Sequence, residues 1–304
     1  MLFRSDAVGL AFGVWKGYPR PPDGTYDYDG QINCDGSTSV TAPLANGGSA
    51  SGIVGMSFHQ PFPASSAKNY ANTLAAAVPG GATAAWFSNV INKAGNTAEY
   101  QALIADLSYL ADQLSYFAQY DVPVLLRPYH EMNHSSFWWG GQDTYSYQVL
   151  WQVMHDYLVN QRHLHNLIFV WAPASWNPTG TDVPWNYYPG AQYVDIVAVD
   201  YYNGSNANRL AASDATNLKT YYAALVNYGK PRMLAESYYV PVTSTVNALT
   251  ASPWVIWNVW GDGLTSHNTN ADVQTTYYRT SQIYTGGSGS GYGQNVSWGQ
   301  LHQD

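Results

Sequence analysis

Two of the three glutamates in this chain stand where an active site could use them. The 304 residues include only Glu99, Glu131 and Glu236 as glutamates. Glu131 follows the apolar run VPVLLRPYH and Glu236 follows RMLA, so each comes at the carboxyl end of a predicted strand. In α/β barrels, this end of the strands carries the active site. Glu99 lies early in a predicted helix, where the helix dipole favours a carboxylate, and we expect no further role for it.

Aromatic residues follow both candidate carboxylates. They are Phe137, Trp138 and Trp139 after Glu131, and Tyr238 and Tyr239 after Glu236. Paired carboxylates suit glycoside hydrolysis, in which one protonates the departing oxygen and the other attacks the sugar or activates water. Aromatic rings stack on the apolar faces of sugars, which explains a composition that is 15% aromatic and only 11% charged. One glutamate at a strand end is often a solvated terminus, but two in aromatic surroundings favour an active site.

Charge and composition exclude several function classes. With 12 Lys and Arg against 20 Asp and Glu, the net charge of −8 argues against binding to nucleic acid or to anionic lipid. No apolar run approaches the roughly 18 residues that a membrane helix needs. Cys34 is the only cysteine, so the chain can form neither an intrachain disulfide nor a cysteine-based metal centre. We expect no metal, no cofactor, and no nucleic-acid or membrane partner.

Strand-like and helix-like segments alternate along the chain. Near-continuous apolar runs predict seven strands, at 7–16, 52–59, 122–129, 167–172, 194–202, 231–236 and 254–260. Helices are predicted at 97–120, 144–164, 214–228 and 271–284, and a loop at 18–50. This alternation is typical of a parallel α/β fold. A closed eightfold barrel requires one strand more.

The far end of the chain offers a candidate for the missing strand. Residues 286–291 read GGSGSG, the composition of a flexible linker, and 292–304 continue with a strand-like segment. One hypothesis is a circular permutation, in which 286–291 joins the original ends, 292–304 forms the first strand and 7–16 the second. The alternative is a tail rich in Gly and Ser. In both cases we predict one catalytic domain over residues 1–304.

Several segments resemble one enzyme family. The run LLRPYHEMNHSSFWWGG at 125–141 resembles the acid/base motif of glycoside hydrolase family 26, R-P-x-H-E-M-N-G-x-W-F-W-W-G. Further similar segments are GMSFHQPFP (55–63), VWAPAS (170–175), YYPGAQYVDIVAVDYY (187–202), PRMLAES (231–237) and, if the chain is permuted, WGQLHQ (298–303). The resemblance implies an α/β fold of the (β/α)8 TIM-barrel type and a retaining double displacement. It also implies the activity most often found in that family, endo-cleavage of β-1,4-mannan.

The resemblance also implies roles for individual residues. Glu131 would be the acid/base and Glu236 the nucleophile, while Asp200 and Tyr202 match a D-x-Y pattern whose Tyr hydroxyl bonds the nucleophile. Arg127 would hold a catalytic carboxylate by a charge-assisted hydrogen bond. The other residues implied in substrate binding are His59, His130, Phe137, Trp138, Trp257, Trp260 and His302. Between the two tryptophans of the last predicted strand, Trp260 is favoured as the sugar platform because it is nearer the strand's carboxyl end.

Two departures from the family motif concern specificity more than catalysis. His134 replaces the glycine after H-E-M-N, and Ser136 replaces the first tryptophan of W-F-W-W. Both are expected beside the cleft, so xylan or mixed-linkage glucan stay open as alternatives to mannan. A protein that binds glycans without cleaving them is a further alternative, less favoured because both glutamates are present.

A zinc-protease pattern competes for the same residues. His130, Glu131 and His134 spell H-E-x-x-H, which binds metal only on a helix, where positions i and i+4 share one face. Pro123 and Pro128 precede it, and serines and glycines follow, so the sequence disfavours a helix there. The expected partner is therefore a polysaccharide or oligosaccharide, and we expect a monomeric, secreted enzyme.

Overall fold

Eight short strands form the framework of the described structure. The computed structural model describes residues 3–4, 15–16, 54–68, 70–119, 123–176, 184–202, 210–260, 264 and 266–276. Its strands are β1 (Phe3–Arg4), β2 (Trp15–Lys16), β3 (Val54–Phe58), β4 (Val124–Pro128), β5 (Leu167–Trp171), β6 (Ile196–Asp200), β7 (Arg232–Glu236) and β8 (Ile256–Trp257). Strands β3 to β8 confirm six of the seven predicted strands, although each is shorter than its predicted range.

The N-terminal strands differ from the prediction. Of the predicted strand 7–16, only the two residues of β2 lie in the described part of the chain. Strand β1 occurs where no strand was predicted, and it pairs in parallel with β8. Its two residues are too few to carry a recognisable hydrophobic pattern. The predicted loop 18–50, the proposed linker 286–291 and the segment 292–304 lie outside the described residues, so the permutation stays a hypothesis.

The described helices are α1 (Ala84–Val90), α2 (Ala98–Ala118), α3 (Thr144–His155), α4 (Ala212–Ala224) and α5 (Asn270–Gln274). Four of the five described helices overlap predicted helices with shifted ends, and α1 occurs where no helix was predicted. Helix α3 continues as a π-helical turn over Asp156–Gln161, and α4 continues as a 3-10 turn over Leu225–Tyr228. Other 3-10 turns are Tyr70–Thr73, Ala75–Ala77, Pro184–Tyr187 and Ala191–Tyr193. None of the described helices is both long and apolar enough to span a membrane.

Helix α2 shows why the predicted helix 97–120 forms. The hydroxyl of Thr97 accepts a hydrogen bond from the backbone N–H of Tyr100, which caps the first turn. Its leucines recur at a spacing of three or four residues and are fully buried: Leu103, Leu107, Leu110 and Leu114. This spacing places them on one face of the helix, which therefore packs into the core.

The described elements group into two compact units. The β2–β5 unit contains β2, β3, β4 and β5 with helices α1, α2 and α3. The β6–β8 unit contains β1, β6, β7 and β8 with helices α4 and α5. The single catalytic domain over 1–304 stays a prediction.

In the β2–β5 unit, the strands run parallel in the order of their numbers. Every residue of β4 is buried, as expected for a parallel strand covered on both faces. The register places Ser57 of β3 opposite Arg127 of β4, so the carboxyl ends of these strands lie side by side. Residues that follow the two strands are thereby brought together.

In the β6–β8 unit, the strands run parallel in the order β1-β8-β7-β6. The register of β6 and β7 shifts between Val199 and Asp200, and Asp200 comes to lie opposite Glu236. Such irregularities re-aim side chains at the ends of strands. Two acidic residues singled out from the sequence therefore share one strand edge.

Candidate active site

The Glu236 carboxylate accepts hydrogen bonds from two neighbouring side chains. Glu236 is the last residue of β7 and is 4% exposed. Its Oε2 atom accepts from the Tyr202 hydroxyl and, at 3.1 Å, from Trp260 Nε1. Trp260 Nε1 also donates to the Tyr202 hydroxyl oxygen, and the Trp260 backbone N–H donates to Ser237 O at 3.0 Å. Donors on one oxygen stabilise the anion and hold the carboxylate in one orientation.

Tyr202 is kept in its protonated form. Burial raises its pKa well above the usual value, and the nearby carboxylates of Glu236 and Asp200 raise that pKa further. The phenol therefore donates a hydrogen bond to Glu236 throughout the ordinary pH range. This is the contact that the D-x-Y resemblance implied.

The end of β6 is anchored to helix α4. Asp200 is fully buried, and its carbonyl accepts from the Ser175 N–H at 2.8 Å. The next residue, Tyr201, donates its N–H to Glu236 O at 2.9 Å and its hydroxyl to Asp214 Oδ1 at 2.9 Å. Asp214 is itself fully buried in the first turn of α4. These bonds fix the backbone that carries Asp200 and Tyr202.

The two candidate tryptophans near the end of β8 are in different environments. Trp260 is half-buried, whereas Trp257 is 3% exposed and donates its indole N–H to Tyr239 O at 2.9 Å. Trp260 is the more exposed of the two, in agreement with its choice as the sugar platform, and contact of either tryptophan with substrate stays a prediction.

Two aromatic residues beside Tyr202 were not singled out as binding residues. The Tyr238 ring lies 4.8 Å from the Tyr202 ring and stacks on His267 at 4.4 Å with an interplanar angle of 10°. Asn268 fixes this arrangement, because its side chain donates to Tyr238 O at 2.7 Å and accepts from Val240 N at 2.9 Å. His267 follows β8 in an irregular segment, where no sequence pattern indicated a role.

Glu131 lies in a strained turn directly after β4. Tyr129 and Glu131 have φ angles of 45° and 55°, in the left-handed region that non-glycine residues avoid. Each such residue costs about 1–2 kcal/mol. The backbone N–H of Glu131 donates to Ala172 O at 2.8 Å, and Glu131 O accepts from His134 N at 3.0 Å. Backbone strain of this kind clusters at functional sites.

Histidines and aromatic rings form a cluster beside this turn. His59 and His130 lie 4.3 Å apart between ring centroids, edge to face. Phe137 lies 5.3 Å from His59 and 5.2 Å from His130, and it stacks on Trp139 at 4.5 Å. The β2–β5 unit therefore brings together His59, His130 and Phe137, all of which the sequence analysis had named. Their contact with substrate stays a prediction.

Arg127 is buried at the end of β4. It is 4% exposed, and its Nη2 atom donates to Ser57 Oγ at 2.6 Å across the β3–β4 pair. The predicted bond from this guanidinium to a catalytic carboxylate stays a prediction.

Trp138 packs into the core of the β2–β5 unit. It is fully buried, and its Nε1 atom donates to Gln60 O at 2.7 Å. Gln60 Oε1 in turn accepts from the Tyr129 hydroxyl at 2.7 Å. The contact of Trp138 with substrate stays a prediction.

The H-E-x-x-H residues do not form a helix. With a left-handed Glu131, the segment cannot place His130 and His134 on one helical face. His130 is 2% exposed and packs among aromatic rings, whereas His134 is exposed. The pattern therefore arises from the strand-to-loop turn, and the zinc-protease reading has no structural basis here. His302, the remaining candidate, lies outside the described residues.

Comparisons with known proteins point to one family. The model of glycosyl hydrolase family 26 matches residues 31–284. A mannan endo-1,4-beta-mannosidase of Thermothelomyces thermophilus is 30% identical over 195 residues, 62% of this chain and 36% of that protein. The mannan endo-1,4-beta-mannosidase A and B of Caldalkalibacillus mannanilyticus is 33% identical over 202 residues, 64% of this chain and 35% of that protein. The chain thus spans about a third of the length of these relatives.

A solved structure agrees with the sequence comparison. The family 26 protein GH26A from Muricauda sp. superposes with a TM-score of 0.68 at 25% identity, over 91% of this chain and 82% of that chain. The fold class is the α/β (β/α)8 barrel that the resemblance implied. Since the family model matches more than half of the sequence, the chain belongs to glycosyl hydrolase family 26.

Proposed function

We propose that the protein is a retaining endo-β-1,4-mannanase, acting on mannan, glucomannan or galactomannan. The observation that carries this proposal is the environment of Glu236, a buried carboxylate with hydrogen bonds from Tyr202 and Trp260 on one oxygen. A nucleophile in a double displacement must be ionised and oriented before the sugar arrives, and this arrangement supplies both.

In the first step, Glu236 attacks the anomeric carbon of the bound mannosyl unit. A carbon–oxygen ester bond forms as the glycosidic bond breaks, and the bonding electron pair leaves with the aglycone oxygen. Glu131 donates its proton to that oxygen, which departs as a hydroxyl group. The product is a covalent glycosyl-enzyme.

In the second step, Glu131 acts as a base. Its carboxylate takes a proton from water while the water oxygen attacks the anomeric carbon and the ester bond to Glu236 breaks. Glu236 leaves as a carboxylate and Glu131 is protonated again, so the enzyme returns to its initial state. Two inversions at one carbon give net retention of configuration.

The names of the relatives support mannan as the polymer. Both relatives described above are named mannan endo-1,4-beta-mannosidases. His134 and Ser136 stand where the family motif has glycine and tryptophan, and both are exposed. Xylan and mixed-linkage glucan are therefore the alternative substrates that the experiment must include.

The proposed substrate also bears on where the enzyme works and in which oligomeric state. A polymer such as mannan does not cross membranes, so the protein is proposed to be secreted. Among the described residues, the exposed large apolar side chains are Tyr145 and Val226. We propose that the protein works as a monomer.

The experiment measures reducing ends and viscosity with four polymers: β-mannan, glucomannan, xylan and barley β-glucan. Wild type is compared with Glu131→Ala, Glu236→Ala and the control Glu99→Ala, which removes the third glutamate in the first turn of α2. We expect wild type and Glu99→Ala to release reducing ends from mannan and to lower its viscosity early, as endo-cleavage does. Glu131→Ala should lose about 10²- to 10⁴-fold in rate, and Glu236→Ala should lose turnover while retaining oligosaccharide binding.

Other outcomes would change the substrate class, the activity or the nucleophile assignment. Cleavage of xylan or barley β-glucan in place of mannan would replace the substrate class. Folded wild type that binds mannan without releasing reducing ends would make the protein a glycan-binding protein. Near-normal activity of Glu236→Ala would refute the nucleophile assignment.

A further inference from the structure

The turn that carries Glu131 is held by hydrogen bonds from outside it. We call residues 129–134 the acid/base turn; it contains the left-handed residues Tyr129 and Glu131, with one residue between them. Unfavourable backbone conformations persist only where surrounding contacts over-determine them. The contacts that do so are therefore part of what fixes the position of the Glu131 carboxyl group.

Four backbone groups of the turn bond to residues outside it. The donor and acceptor pairs are Tyr147 Oη to Tyr129 O (3.0 Å), Trp139 Nε1 to His130 O (2.7 Å), Glu131 N to Ala172 O (2.8 Å) and Gly141 N to Met132 O (2.9 Å). The partners come from α3, from the loop after the turn and from the segment after β5. The turn is thus held from three directions.

The side chain of Asn133 adds a clamp to the same segment after β5. Its Nδ2 atom donates to Ala174 O at 3.0 Å, and its Oδ1 atom accepts from Ala174 N at 2.9 Å. Both functions of one amide are therefore used on the backbone of one residue. Together with the bond from Glu131 N to Ala172 O, three hydrogen bonds join the acid/base turn to residues 172–174.

We propose that Asn133 is a positioning residue for Glu131, clamping the acid/base turn to Ala174 so that the carboxyl group stays in reach of the glycosidic oxygen. This inference rests on the proposed acid/base role of Glu131. Asn133 acts through the backbone and needs no contact with the substrate. Without its amide, the strained turn can relax toward ordinary backbone conformations, and a displacement of about 1 Å at a catalytic group is enough for a loss of about 10²-fold.

Leaving-group chemistry distinguishes positioning from general stability. A poor leaving group, such as a sugar hydroxyl, requires protonation by Glu131 in the first step. A 2,4-dinitrophenolate departs without a proton, so kcat/KM for a dinitrophenyl β-mannobioside reports nucleophilic attack with little contribution from the acid. Displacing Glu131 therefore lowers kcat/KM for mannohexaose but not for the activated substrate.

The experiment measures kcat/KM of Asn133→Ala on mannohexaose and on the dinitrophenyl mannobioside. We expect a loss on the order of 10- to 100-fold for mannohexaose and less than about threefold for the activated substrate. Because Glu131 is also the base for the second step, azide should raise kcat of the variant on the activated substrate and leave that of wild type unchanged. If Asn133→Ala does not fold, Asn133→Asp keeps the side-chain shape and loses the donor to Ala174 O, and the same selectivity is expected.

Two comparison variants separate the possible failures. Gln148→Ala removes an amide that also bonds backbone carbonyls, those of Asn186 and Tyr188, and it should affect both substrates equally. Glu131→Ala should show the leaving-group dependence at full strength, and its absence there would refute the proposed acid/base role itself. Equal losses on both substrates in Asn133→Ala, with a normal pattern in Glu131→Ala, would overturn the positioning role alone.

Discussion

Replacement of Tyr202 by phenylalanine tests how the Glu236 carboxylate is prepared for attack. The change removes one hydroxyl that donates to Glu236 Oε2 and keeps the ring that packs against Tyr238. Since the hydroxyl interacts with the ionised carboxylate, its loss favours the protonated form of Glu236. We therefore expect a lower kcat/KM and an acid limb of the pH–rate profile that moves to higher pH.

The magnitude follows from the number of donors. A hydrogen bond to a charged group is worth about 1.5–3 kcal/mol, and each 1.36 kcal/mol corresponds to about a tenfold change in rate. Removal of the only donor would thus lower kcat/KM by about 10- to 100-fold. Trp260 Nε1 still donates to the same oxygen at 3.1 Å. The expected loss is therefore near the lower end, about tenfold.

The assay is kcat/KM on mannohexaose as a function of pH, with far-UV circular dichroism to establish folding. Tyr221→Phe is the control, because it removes a buried hydroxyl that donates to Trp176 O and not to a carboxylate. It should lower stability and leave the acid limb unmoved. A folded Tyr202→Phe variant with the wild-type kcat/KM and the wild-type acid limb would refute the role of the hydroxyl.

Three further predictions concern packing and capping. Trp257→Phe removes an indole N–H that bonds Tyr239 O, and it should lower the free energy of unfolding by about 1–3 kcal/mol in urea titrations. A wild-type free energy of unfolding would refute the stabilising role of this bond. Gly140→Ala would place a methyl group on the carbonyl oxygen of His134. Calorimetry should therefore show a lower Tm, and the mannohexaose assay should show a lower kcat. A wild-type Tm would contradict this packing. Asp143 caps α3 by accepting from Ser146 N at 2.9 Å. Hydrogen bonds from the side chain and then the backbone of Ser146 lower the pKa of Asp143, so the stabilisation is present above the usual pKa of 3.8 and lost as pH falls through the folded-state value. Asp143→Ala should therefore cost about 1 kcal/mol at pH 7 in chemical denaturation and nothing in strong acid, and a cost independent of pH would refute the assignment.

Much of the fold could be predicted because parallel strands buried on both faces leave long apolar runs. The runs at 122–129 and 231–236 contain β4 and β7, which carry Glu131 and Glu236 at or just after their ends. Strand β1 escaped prediction because two residues form no pattern, and the π-helical end of α3 has no distinct composition. Short or irregular elements are set by tertiary pairing more than by local sequence.

The sequence indicated one contact of the candidate site and left the burial of its aromatic side chains open. The D-x-Y pattern identified Tyr202, and its hydroxyl bonds Glu236 as expected. Sequence could not show that Trp138 and Trp257 are buried whereas Trp260 is half-buried, because residue type alone does not distinguish an aromatic ring in the core from one nearer the surface. The left-handed conformation of Glu131 was equally invisible, since it depends on bonds from distant residues.

Trapping the covalent glycosyl-enzyme tests directly whether Glu236 is the nucleophile of a retaining double displacement. A 2-deoxy-2-fluoro-β-mannosyl fluoride reacts with a retaining enzyme but is released slowly, because the fluorine destabilises the transition state of the second step. We expect time-dependent inactivation and, after proteolysis and mass spectrometry, one added fluoromannosyl group on Glu236. A label on another residue, or an active enzyme that takes no label and releases inverted product, would contradict it.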